Sequence, residues 1–186
     1  GQAEVAEAMG VAAEVVAARV EELKEFNPMM GHRGCRLGIS YPEIYAMQIR
    51  AILEAAAKCQ KEGLDVRPEI MVPQVCTAEE LECVHKMVDE IRPEVEKAYG
   101  IQVRFKFGTM IEVVRACMRA ARLAQVVEFF SFGTNDLTQA AFSFSREDAE
   151  NKFLPFYNEN IILRDNPFEV LDVKSVGRLM QMAVEW

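Results

Sequence analysis

Two acids stand at the ends of two apolar runs: Glu112 closes FGTMIE, and Asp136 follows VEFFSFGTN. Each run has the length and composition of a buried strand, so each acid arrives at a strand's C-terminal end, where α/β folds bind ligands. Two carboxylates that converge without partners repel, and one of them holds its proton. A hard divalent cation, Mg2+ or Mn2+, removes that penalty and leaves positions open for water and an anionic substrate. A blander alternative stays open at this point. In it, Asp136 caps the helix that follows and Glu112 pairs with an arginine such as Arg115.

The neighbouring residues suit an anion. Gly133, Thr134 and Asn135 precede a helix start, where free main-chain N–H groups meet negative charge. Arg33 lies between glycines in GHRG, which lets the main chain come close to a ligand, and its guanidinium fork suits carboxylate or phosphate. Arg146 follows the aromatic pair Phe142 and Phe144 and is placed to reach back over the site. A turn without a ligand and surface arginines are the alternatives.

These residues must be carried by alternating strands and helices. Residues 2–26 have helical spacing, broken at Gly10 and ended by Asn27-Pro28. A short strand is expected at 35–39, then a helix opened by Pro42 and running to about 62. A strand is expected at 69–75, and Thr77 with Glu80 forms a capping box for a helix reaching Tyr99. A strand at 102–112, a helix at 114–124, the strand at 127–132 and a short helix after Asn135 follow. A looser aromatic stretch covers 142–165, and a last helix 173–185. This is about four consecutive βα units, an α/β chain. No G-x-G-x-x-G or phosphate-binding loop supports a doubly wound sheet. A complete barrel needs ~250 residues. A partial (β/α)8 TIM barrel satisfies both facts, with unpaired edges expected at the strands near 35–39 and 127–132.

Composition narrows the class. The 186 residues include 51% hydrophobic and 27% charged, with net charge −8 and no Lys/Arg block, which excludes a duplex nucleic-acid binder. No apolar run approaches the ~18 residues of a membrane span, so no membrane partner is expected. Five cysteines without a C-x-x-C pair fit reduced thiols in an intracellular compartment, cytoplasmic or organellar.

Five segments then carry a resemblance: NPMMGHRGCRLG at 27–38, YPEIYAMQIRAI at 41–52, PEIMVP at 68–73, GTMIE at 108–112 and FFSFGTNDLTQ at 129–139. In this order they resemble the phosphoenolpyruvate-utilising enzymes over nearly the whole chain. HRGCRL, FSRED at 144–148 and KFLP at 152–155 resemble the pyruvate, phosphate dikinase branch more than the phosphoenolpyruvate synthase or phosphoenolpyruvate–protein phosphotransferase branches. The resemblance implies that 1–186 is the central part of the phosphoenolpyruvate/pyruvate-binding barrel domain, truncated at both ends. It implies Glu112 and Asp136 as Mg2+ ligands, with Gly133, Thr134, Asn135, Arg33 and Arg146 at the substrate.

The reaction so implied makes phosphoenolpyruvate, AMP and diphosphate from pyruvate, ATP and phosphate, through a phosphohistidine on another domain of the same parent chain. A homodimer is implied as well. The family's catalytic cysteine motif, CGEHGG, is expected past Trp186 and further substrate arginines before Gly1, so this stretch alone is expected to be inactive. VVRACM at 113–118 and the Cys76-Thr77 pair depart from the usual IPRAAL and Gly-Thr. A reading of another class makes the chain a non-catalytic dimerisation module, with Phe153, Phe156 and Tyr157 on its surface.

Overall fold

The computed structural model describes residues 1–186, which divide into two compact units, 1–32 and 33–186. The first unit holds helices α1 (Gln2–Met9) and α2 (Ala13–Glu22), packed on one another, with the expected break at Gly10. A 3-10 turn at Pro28–Met30 closes it, the Asn27 side chain accepting the Met30 N–H at 3.3 Å.

The second unit is built on a three-stranded parallel sheet of β1 (Glu69–Val72), β2 (Lys106–Ile111) and β3 (Phe129–Phe132), in the order β1-β2-β3. Glu69 partners Lys106, and Gly108 partners Phe129. Helix α3 (Cys35–Ser40) and helix α4 (Pro42–Lys61) precede the sheet, and α5 (Ala78–Tyr99) crosses from β1 to β2. The short helices α6 (Val114–Met118) and α7 (Ala120–Leu123) cross to β3. After β3 come α8 (Thr134–Phe142), α9 (Arg146–Lys152), α10 (Leu154–Glu159) and α11 (Val176–Glu185).

Helical periodicity makes the core. Helix α4 buries Ile49, Leu53, Ala56 and Ala57, one stripe, and α5 buries Leu81, Val84, Val88, Ile91 and Val95, another. The two stripes pack together and cover the face of the sheet that carries Ile70, Val72, Phe107 and Ile111. Each fully buried leucine contributes roughly 1.5–3 kcal/mol. The capping box of α5 is present: Glu80 N–H reaches Thr77 Oγ1 at 3.3 Å, and the Glu80 carboxylate accepts the Thr77 N–H at 2.9 Å.

Four expectations are corrected. The sheet has three strands and not four, because 35–39 is helical. Gly34 takes φ 58, ψ −134 and turns the chain, after which CRLGIS winds into α3. The short apolar run that suggested a strand is the inner side of this turn, with Cys35 and Gly38 buried. The sheet edge is therefore β1 and not a strand at 35–39. Strand β1 also stops at Val72, since Pro73 has no N–H to donate. Strand β2 starts at Lys106, because the Val103 N–H goes instead to the Glu96 carboxylate at 2.9 Å. The aromatic stretch 142–165 contains α9 and α10. Its Phe153 packs on Phe144 and Tyr157 with ring centroids 5.2 and 5.1 Å apart, which leaves Phe156 as its outward ring at 60% exposure.

Candidate functional site

The C-terminal rim of the sheet gathers polar groups that the rest of the core lacks. Glu112, one residue past β2, is 7% exposed, and the Asp136 side chain, in the first turn of α8, is 14% exposed. The two carboxyl groups lie within hydrogen-bonding reach of each other. Burial pushes the Glu112 carboxyl up from its ordinary value, and the charge of Asp136 pushes the same way, while the Gln74 N–H pulls it down. Asp136 does not cap its helix: the N-cap is Gly133, with no side-chain cap. Nor does Glu112 pair with Arg115, whose guanidinium donates to the Cys76 carbonyl. Neither the helix cap nor Arg115 therefore accounts for the two acids.

Their donors come from other elements. Arg33 Nη2 donates to Asp136 Oδ2 at 3.0 Å, and Gln139 Nε2 donates to Asp136 Oδ1 at 3.2 Å. Gln74 donates twice, through its main-chain N–H to Glu112 Oε1 at 2.7 Å and through its side-chain amide to Asp136 Oδ2. Gly133 forms one side of the site without filling it. A Cβ there would stand 2.6 Å from Glu112 Cβ and 2.7 Å from Glu112 Oε2, so any larger residue would displace the acid.

The expected site residues fall into two groups. Arg33, Glu112, Gly133 and Asp136 come together. Thr134 and Asn135 are exposed and line, with Thr138, Arg146 and Phe168, a separate cavity of ≈ 380 Å³. The Arg146 side chain does not reach back over the acids. It pairs with Glu150 at 3.3 Å and lies over the Phe168 ring. Buried Gln139 links the groups, since its Oε1 accepts the Arg146 N–H at 3.0 Å. The expectation that glycines at Arg33 admit a ligand also changes. Gly34 admits Gln74, whose Cβ and Cγ would stand 2.8 Å from a Cβ at position 34.

Sequence reasoning missed Gln74 and Gln139. Gln139 had a signal, a polar residue one helical turn after Asp136. Gln74 had a weaker one, an amide closing the apolar run EIMVPQV. No cluster of three or more His, Cys, Asp or Glu side chains able to hold a metal occurs. Two hard carboxylates leave most of a coordination sphere to water and substrate, as magnesium sites do. All five cysteines are free thiols, and burial pushes the Cys35 thiol up to about 12, which makes it inert.

No helix is long and apolar enough to cross a membrane. A family model described as PEP-utilising enzyme, PEP-binding domain matches residues 5–185. The chain is 57% identical over 172 residues to pyruvate, phosphate dikinase of Entamoeba histolytica, covering 92% of this chain and 19% of that protein. It is 51% identical over 185 residues to that of Clostridium symbiosum, covering 99% and 21%. The chloroplastic pyruvate, phosphate dikinase 1 of Arabidopsis thaliana is 54% identical over 185 residues, covering 98% and 19%. The chain spans about a fifth of the length of these relatives. With strand ends that bring two acids together and a family match over nearly its whole length, the chain belongs to the PEP-utilising enzymes, in their PEP-binding domain.

Proposed function

We propose that this chain is the central part of the barrel domain of a pyruvate, phosphate dikinase and supplies its Mg2+ and pyruvate/phosphoenolpyruvate binding. The observation that carries the reading is the meeting of Glu112 and Asp136 at adjacent strand ends. The strand order β1-β2-β3 runs without reversal, as in an arc of a (β/α)8 barrel; a doubly wound sheet binds ligands where its order reverses. The parent reaction is formation of phosphoenolpyruvate, AMP and diphosphate from pyruvate, ATP and phosphate, with a phosphohistidine domain of the same parent and a second subunit as partners.

Glu112 and Asp136 are the residues that would hold Mg2+. The donor set fits, because both are hard oxygen ligands and the glycine at 133 lets the Glu112 side chain lie directly against the main chain. When bound, the ion supplies positive charge against the negative charge that develops on the pyruvate oxygen as a methyl proton leaves. The chain's own groups do the rest. Arg33 holds Asp136 when no ligand is present, and its fork turns to a carboxylate or phosphoryl group when one arrives. Thr134 and Asn135 offer N–H groups at the start of α8 to an anion on the side of the neighbouring cavity, while the Gly133 N–H stays with the Ile111 carbonyl at 3.0 Å and its bare main chain bounds the acid pair. Arg146 neutralises phosphoryl charge from the side of the neighbouring cavity.

The test uses the protein at its full natural length and oxalate, a flat dianion that mimics deprotonated pyruvate. Asp136→Ala is expected to abolish Mg2+-dependent oxalate retention and turnover together. Unchanged binding and turnover in that variant would remove the metal assignment. Dependence of turnover on inorganic phosphate separates the dikinase from a phosphoenolpyruvate synthase.

A further inference from the structure

Gln74 is out of place by every local rule. It is 5% exposed, yet it is an amide at the end of an apolar strand. It takes φ 60, a left-handed conformation that costs an L side chain roughly 1–2 kcal/mol. Such a conformation persists only where the surroundings over-determine it, and it concentrates at functional sites.

The surroundings do over-determine it. The Cys35 N–H donates to the Pro73 carbonyl at 3.2 Å, and Cys35 Sγ donates to the Gln74 carbonyl at 3.3 Å. Gly34 offers a bare main chain on which Gln74 Cβ and Cγ rest. Two residues on, the Glu80 carboxylate accepts the Cys76 N–H at 2.7 Å. The loop after β1 is therefore fastened on one side to the start of α3 and on the other to the cap of α5. The left-handed turn aims the Gln74 N–H at Glu112, while its side chain reaches Asp136.

We infer that Gln74 is a positioning residue for the acid pair. It ties the acid after β2 and the acid after β3 to one rigid point after β1, so their separation is set before any cation arrives. This inference rests on the metal reading above and adds a residue to it. The contrast is with a glutamine that merely satisfies its own buried amide. A residue of that kind needs one acceptor and water, whereas Gln74 spans two acids, one just past β2 and one in the first turn of α8. An apolar side chain of equal volume would leave Asp136 with Arg33 and Gln139 and remove the donor residue that the two acids share, so nothing after β1 would fix Asp136 relative to Glu112.

The experiment measures Mn2+ affinity in the presence of oxalate, from the electron paramagnetic resonance signal of free Mn2+, with the full-length protein. Two variants separate position from fold. Gln74→Leu keeps the volume and loses the amide; Gln74→Gly loses the amide but relieves the left-handed backbone. Both are expected to weaken Mn2+ binding by about 10- to 100-fold, the usual effect of removing a residue that orients a metal ligand. Gln74→Gly is expected to do so with a melting temperature no lower than wild type. Wild-type affinity in both variants would overturn the role and leave the metal reading standing. So would weakening confined to Gln74→Leu and matched by lost stability. A wild-type protein that holds no Mn2+ under these conditions, or an Asp136→Ala variant that still does, would overturn both.

Discussion

The two ends of the sheet treat their charges in opposite ways. At the entry end Glu69 and Lys106 are register partners with opposite charge, 3.8 Å apart and more than half exposed. Such a pair is worth ~0–1 kcal/mol and can be exchanged at little cost. At the exit end Glu112 and Asp136 carry the same charge, are largely buried, and draw donors from Arg33, Gln74 and Gln139. Burying like charges works against folding. One sheet, built by one set of packing rules, thus carries an arrangement that solubility explains and another that, on the function proposed above, a ligand explains.

The comparison breaks most sharply if the exit end turns out to be dispensable. Glu112→Gln is expected to lower Mn2+ affinity, measured by electron paramagnetic resonance with oxalate present, by about 100-fold or more, the upper end of what even an indirect partner costs. Glu69→Gln serves as the control and should leave that affinity unchanged. A smaller but still large effect is expected at Gly133. Gly133→Ala places a methyl on Glu112 Cβ and Oε2 and should cost about 1–3 kcal/mol in urea unfolding, along with the cation affinity.

Acidity gives a third handle. The folded, metal-free protein binds the Glu112 proton more tightly than the unfolded chain does, since burial and then Asp136 raise this carboxyl above its ordinary 4.5. Stability from that proton is complete below the ordinary value and is lost as pH rises through the raised one. Melting temperature without metal should therefore fall across that window, and Glu112→Gln should flatten the profile there. A wild-type profile that instead rises through the window would contradict the burial of a shared proton. The smallest effect belongs to the entry end, where a double-mutant cycle on Glu69 and Lys106 should return a coupling of ~1 kcal/mol or less.

Much of the site was legible because strand and chemistry were written together. FGTMIE and FFSFGTND each state an apolar strand, its end and an acid in a few residues, and both acids stand where that pattern put them. Arg33 was legible for a different reason, its place in GHRG. The structure gives that motif another physical meaning: its second glycine seats a neighbouring loop. What failed was information held far away in the chain. Residues 35–39 have the composition of a strand, and only the turn at Gly34 and the Cys35 N–H to Pro73 commit them to a helix. Gln74 could not be read as a site residue, because its partners lie on β2's exit and in α8. Arg146 stands close to Asp136 in sequence, but pairing with Glu150 within its own helix turns it to another cavity.

The parallel register carries a kinetic consequence. Glu69 meets Lys106 and Gly108 meets Phe129, so no strand finds its neighbour until an entire crossover has been threaded between them. Pairings this remote in sequence make for slow folding and leave bare strand edges exposed in the interim. During synthesis the newborn strands therefore spend longer as sticky templates than they would in a hairpin, and chaperone demand should track the length of that wait.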